Sequence, residues 1–231
     1  MRLSRAGVVS LSLVSLCFLL CGSAYGDLVT ASGAGPLLPS AEDLSGIKVT
    51  EIQGSLTYPD GVSLFEINIM NPSDFSATTV PAGPFGIPDT ELFLFDSTGQ
   101  GVYFNDDISG SATLSCLPSS DLTNPCPTPA AGLGPVAPGI YYLGIAYSAD
   151  GPQDALNNYI FTNSLSTDVV GPNAGVGTLA GWDGGVYTQP NFDLVDYDID
   201  ITGTTPEPAT WIMSAGALLA LAMFRRRLLT R

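Results

Sequence analysis

Thr90-Glu91-Leu92-Phe93-Leu94-Phe95-Asp96-Ser97-Thr98-Gly99-Gln100-Gly101-Val102-Tyr103-Phe104-Asn105 is the stretch whose reading decides the fold. In an extended chain, side chains alternate, so Leu92 and Leu94 share one side and Phe93 and Phe95 the other. A strand that is apolar on both sides belongs in the middle of a sheet, covered above and below. Ser97 to Gly101 gathers turn-forming residues, and 102–105 reads as the returning strand of a hairpin.

Outward from this hairpin the same period recurs. Residues 48–57 read as a strand. In 62–69, Phe65, Ile67 and Ile69 fall on one face and Glu66 and Asn68 on the other. Residues 140–147 read as a second buried strand after the Pro138-Gly139 turn. In 192–201, Val195, Tyr197, Ile199 and Ile201 alternate with Asp196, Asp198 and Asp200. Apolar stripes of this kind need a partner surface, so residues 27–205 are expected to form an all-β domain, a single β-sandwich of two facing sheets. Stretches 27–46 and 151–185 are rich in Gly, Ser, Asn and Asp and read as loops.

Charge is distributed unevenly. The chain has seven Lys and Arg against 22 Asp and Glu, for a net charge of -15. Between residues 27 and 224 the single base is Lys48, and the other cations sit near the two ends. Cationic ends around an anionic middle place the ends on the cytoplasmic side and the middle across the membrane. An acidic body also lacks the basic footprint that nucleic-acid binding needs.

The ends themselves agree. Arg2 and Arg5, an apolar stretch at 8–20, and Ala24-Tyr25-Gly26 read as a signal peptide covering 1–26, an address for the Sec translocon. Leu20 is bulkier than a lipoprotein signal takes before its cysteine, which disfavours Cys21 as the first mature residue. At the other end, Pro206, Glu207 and Pro208 precede an apolar run at 209–224, followed by Arg225, Arg226 and Arg227. As a helix that run spans roughly 24 Å, a little less than a ~30 Å hydrocarbon core. Arginine snorkelling and Trp211 at the outer edge would make up the difference.

Residues 206–231 resemble the PEP-CTERM sorting signal of bacterial exported proteins. The resemblance rests on Pro206, Glu207 and Pro208, the transmembrane helix at 209–224, and the membrane stop Arg225 to Arg227. It implies a processing enzyme of the exosortase type, transient anchoring in the inner membrane, and delivery to the cell surface or beyond. A tail anchor that is never removed remains the competing reading. Both readings export the middle of the chain.

The body resembles a second family, the bacterial pre-peptidase C-terminal (PPC)-like β-sandwich. The similarity runs through Gly61-Val62-Ser63-Leu64-Phe65, Thr90-Glu91-Leu92-Phe93-Leu94-Phe95-Asp96, Gly101-Val102-Tyr103-Phe104-Asn105-Asp106-Asp107 and Pro138-Gly139-Ile140-Tyr141-Tyr142-Leu143. Gly61 and Ser63 stand where that family often carries an acidic pair, and the cysteine loop is extra. The resemblance implies the sandwich fold and an accessory, non-catalytic role.

Cys116 and Cys126 bracket a loop containing Pro118 and Pro125, and in an oxidising compartment they are expected to form a disulfide. Catalysis is poorly provided for. The chain contains no His, no G-x-S-x-G elbow and no lysine besides Lys48 in the exported part. Those absences remove the commonest general base, the commonest zinc ligand and the usual serine schemes. The chain is therefore not expected to be an enzyme, and no cofactor is implied apart from calcium. Asp96, Asn105, Asp106 and Asp107 flank the central hairpin and are candidate oxygen ligands for that hard cation. Turn stabilisation competes as the role of all four, because Asn and Asp readily bond their own backbone.

Asp196, Asp198 and Asp200, with Glu207, mimic an EF-hand count, but Ile201 stands where such a loop needs Gly. Their alternation instead suggests a solvated face that discourages edge pairing. Trp182, Tyr187 and Tyr159 fall in or near loop-like stretches, where they would either stack on sugars or pack beneath the loops. Two function classes follow: a structural or adhesive protein of the cell surface or extracellular matrix, and a calcium-dependent or glycan-binding module that recognises exopolysaccharide.

Overall fold

Buried and half-buried positions alternate along Phe65 to Ile69, with Phe65, Ile67 and Ile69 at zero exposure and Glu66 and Asn68 half-buried between them. That is the pattern of a pleated strand with one side against a core. The computed structural model describes residues 26–57, 61–82, 89–110, 113–119, 126–148, 150–162, 167–184 and 194–204. All of them belong to one compact unit, Gly26–Pro206.

The described chain is β-structure with two single-turn 3₁₀ helices, Leu38–Ser40 and Pro72–Asp74. The strands are β1 (Asp27–Thr30), β2 (Glu42–Asp43), β3 (Val49–Thr57), β4 (Val62–Ile69), β5 (Ser76–Val80), β6 (Thr90–Asp96) and β7 (Gly101–Asn105). They continue as β8 (Cys116–Leu117), β9 (Gly139–Tyr147), β10 (Pro152–Gln153), β11 (Val169–Val170), β12 (Gly181–Trp182) and β13 (Leu194–Thr202). One sheet has the order β1-β3-β13-β5-β8, a second β11-β7-β6-β9-β4-β2, and β10 pairs with β12 in a two-stranded ribbon.

As its two apolar sides require, β6 is central, hydrogen-bonded to β7 on one side and β9 on the other. Leu92 and Leu94 join a cluster that also takes Ile52 and Leu56 from β3, Tyr197, Ile199 and Ile201 from β13, and Leu143 and Ile145 from β9. That cluster draws on both larger sheets. Phe93 and Phe95 belong to a separate cluster with Phe104, Ile160, Phe161 and Leu179. Leu37, Leu38 and Trp182 pack against it. Burying one such large side chain contributes roughly 1.5–3 kcal/mol, so two apolar sides require two covers.

The second cover corrects the expectation that 27–46 and 151–185 are plain loops. They contain β1, β2, β10, β11, β12 and a 3₁₀ turn, and they supply Leu38, Ile160, Phe161 and Leu179 to the aromatic cluster. Most of these strands have two residues, too few for a period to show in sequence. The charged strand β13 is a second correction. It lies between β3 and β5, and Asp198 and Asp200 are paired on both sides, so they guard no edge. Alternation reports which side of a sheet a residue faces, and says nothing of the strand's rank within it. Asp196 and Asp200 are exposed, while Asp198 accepts a hydrogen bond from Gln53 Nε2 at 3.0 Å.

Cys116 and Cys126 are joined by a disulfide, with Cα atoms 5.6 Å apart. Closing a loop of this size stabilises by roughly 3 kcal/mol on the chain-entropy account. Among the described residues no helix is long and apolar enough to cross a membrane. All but the last residue of the expected signal peptide (1–26), Pro206, Glu207 and Pro208, the expected helix at 209–224 and Arg225 to Arg227 lie outside the described residues.

Candidate functional site

The β6–β7 hairpin carries the four candidate calcium ligands, and it separates them. Asp96 ends β6 at the turn, where its Oδ1 accepts from Thr98 N (2.8 Å), Thr98 Oγ1 (2.7 Å) and Gln100 N (3.1 Å). Gly99 completes the turn at φ 85°, a conformation that suits glycine. Asn105 lies opposite Leu92, four positions from Asp96 and so roughly 13 Å along the strand. It is fully buried, and its amide holds backbone together. Oδ1 accepts from Cys116 N at 2.8 Å, and Nδ2 donates to the carbonyls of Asp107 and Asp168, both at 3.1 Å.

Asp106 and Asp107 do come together, and with a third carboxylate that sequence reading did not single out. Asp89, Asp106 and Asp107 are half-buried and each offers an oxygen within 4.8 Å of the others. The sheet order explains the meeting. Asp89 precedes β6, Asp106 and Asp107 follow β7, Ser148 follows β9, and these three strands are neighbours that end side by side. Ser148 N donates to the Asp89 carbonyl at 3.0 Å, and its hydroxyl to Asp106 at 3.4 Å. Counting back along the hairpin from the turn places residues 89–91 beside 106 and 107, so the signal was present. A register shift between Leu94 and Phe95 blurs it by one residue.

Three acids this close change one another's chemistry. Burial, then the charges of Asp107 and Asp89, push the Asp106 carboxyl up to about 7, against a lowering by the Ser148 hydroxyl. The three oxygens would supply part of a calcium shell, since ligands across one ion lie about 4.8 Å apart and water commonly completes the set.

The aromatic candidates part company. Trp182 meets Phe93 edge-on at 5.2 Å and 77°, and its indole N–H donates to the Pro36 carbonyl at 2.7 Å. It is a cover for the aromatic cluster. Tyr159 instead is 46% exposed and donates its hydroxyl to Asp183 at 2.6 Å. It lines an open cleft of about 510 Å³ with Asn157, Asn158, Thr162 and Asn173. Tyr187 lies outside the described residues.

Asp154 builds that cleft. Its carboxylate accepts from Leu156 N (2.8 Å), Asn158 N (2.9 Å), Asn158 Nδ2 (3.1 Å) and Gly177 N (3.0 Å). The bond to Gly177, then those to Asn158, hold its pKa well below the usual carboxylate range. Compared with known proteins, the chain matches no family model, and no curated protein matches it. The reading of function therefore rests on the residues and their geometry.

Proposed function

We propose that this chain is an exported, non-catalytic protein of the bacterial cell surface or extracellular matrix, with a structural or adhesive role. In this reading the Sec translocon delivers it, and an exosortase-type enzyme processes its PEP-CTERM-like signal at Pro206, Glu207 and Pro208. The observation that carries the reading is the charge partition: one lysine and nearly every acid in the middle, and the remaining cations at the ends. The Cys116–Cys126 disulfide supports it, because such bonds persist in oxidising compartments. The body is a β-sandwich in this account, supported by the apolar cluster shared between the two larger sheets. A second reading, a cation-dependent binding module, is favoured by the meeting of Asp89, Asp106 and Asp107.

A C-terminal epitope tag tests the sorting claim. The native chain is expected to lose the tag and reach the cell exterior. A chain with Pro206, Glu207 and Pro208 all replaced by Ala should keep the tag and stay in the membrane. Retention of the tag by both chains would establish a tail anchor instead.

A further inference from the structure

We propose that the cleft lined by Tyr159 is a binding site for a neutral glycan chain, with the tyrosine ring as its stacking platform. The proposal rests on the surface-protein reading only for where the glycan is met.

The platform is fixed before any ligand arrives. The Tyr159 hydroxyl is held by Asp183, and its ring lies so close to Gly151 that a Cβ there would come within 3.0 Å of two ring carbons. A side chain at residue 151 would push the ring out of place. The walls are fixed too. Asn173 Nδ2 donates to the Tyr159 carbonyl at 2.9 Å and to Thr162 Oγ1 at 2.7 Å, joining the two sides of the cleft. Asp154 ties the 156–158 turn to Gly177. A site locked in this way loses little conformational freedom on binding.

The lining chooses the ligand. Asn157 offers an amide, Asn158 and Asn173 their amide oxygens and Thr162 a hydroxyl around an aromatic ring, and among the described residues none of the lining is charged. Asn157 sits at φ 59°, with its side chain exposed at the cleft. Hydroxyl-rich sugars match amides and present an apolar ring face to an aromatic one. A polyanion has no partner here, since the exported part has one lysine, Lys48, and Asp183 stands beside the platform. Peptide docking generally uses a strand edge or an apolar pocket, and this cleft presents amides instead.

Calorimetric titration of the full chain in a sugar-free nonionic detergent tests this directly. The probes are cellohexaose, maltohexaose and the fully N-acetylated chitohexaose, with alginate oligomers as the anionic control, each with calcium and with chelator. At least one neutral hexamer should bind saturably, equally well in chelator. Tyr159→Ala should weaken that binding about tenfold or more, while Tyr159→Phe stays within about threefold. Asn157→Gly, which keeps the left-handed backbone and removes the amide, should also weaken it. Thermal melts confirm that each variant is folded. Failure of all three neutral probes, binding of alginate alone, or native affinity in both Tyr159→Ala and Asn157→Gly would overturn the proposal. Tag processing and glycan titration are separate measurements, so either idea can fail without the other.

Discussion

Tyr197 in β13 stands directly across from Gly54 in β3, and a Cβ at residue 54 would overlap its ring and hydroxyl. Tyr197 is 1% exposed, so the ring has nowhere to retreat. The glycine is thus a space requirement at the pairing of two long strands. Gly54→Ala is expected to cost about 1–3 kcal/mol through overpacking, read from the urea midpoint. Tyr197→Phe in the same chain should recover part of the loss; no recovery would mean the contact is not the cause.

The disulfide gives a second expectation. Replacing Cys116 and Cys126 by Ser together should lower stability by about 3 kcal/mol, or roughly 10 °C in melting temperature. Reductant should then have no further effect on the variant, while it brings the native protein down to the same value. A reductant-insensitive native melt would contradict the bond's contribution.

Asp106 makes the protein pH-sensitive in an unusual direction. Its carboxyl titrates at about 7 in the fold against 3.8 in the open chain, so between those values the folded state keeps a proton that the unfolded state has released. Stability from this group is therefore fullest below about pH 4 and falls as pH rises towards 7. In chelator, the melting temperature of the native chain should fall over that window more steeply than that of Asp106→Asn. On the second reading of function, calcium at about 1 mM near neutral pH should raise the native melt and leave Asp106→Asn unmoved.

Asp154 works the other way. Four hydrogen bonds favour its ionised form, so its contribution is present above the ordinary carboxylate pKa and is lost as pH falls below it. Asp154→Ala should lower the melting temperature at pH 7 and speed amide exchange at Leu156, Asn158 and Gly177. Unchanged exchange at those amides would show that the turn does not depend on the carboxylate.

Much of the fold was legible because strong alternation is a local signal. Residues 62–69 needed no tertiary information, and the two apolar sides of Leu92–Phe95 announced a central strand. What escaped was set at a distance. Nothing in Glu42-Asp43 or Val169-Val170 reveals a strand, because each is extended only by its longer neighbour. The aspartates of β13 looked like an edge because their charge is visible and their lateral neighbours are not.

The candidate site was legible in part for the same reason. Asp106 and Asp107 were found by type, but Asp96 was grouped with them through nearness in sequence, although a hairpin's tip and its ends are far apart. Asp89 was missed because its place depends on register. Tyr159 was legible as a loop aromatic able to stack on a sugar, but its cleft was not, since the walls come together through side-chain bonds from Asp154 and Asn173.

The central claim is that the acidic body lies across the membrane from the cytosol, and Val136 offers the most direct test. It is 87% exposed, and both cysteines of the body are already bonded to each other. Intact cells making Val136→Cys would be treated with a small membrane-impermeant maleimide, then compared with lysed cells. The account predicts full labelling before lysis, with Cys116 and Cys126 unlabelled unless reduced. Labelling of residue 136 only after lysis would contradict it.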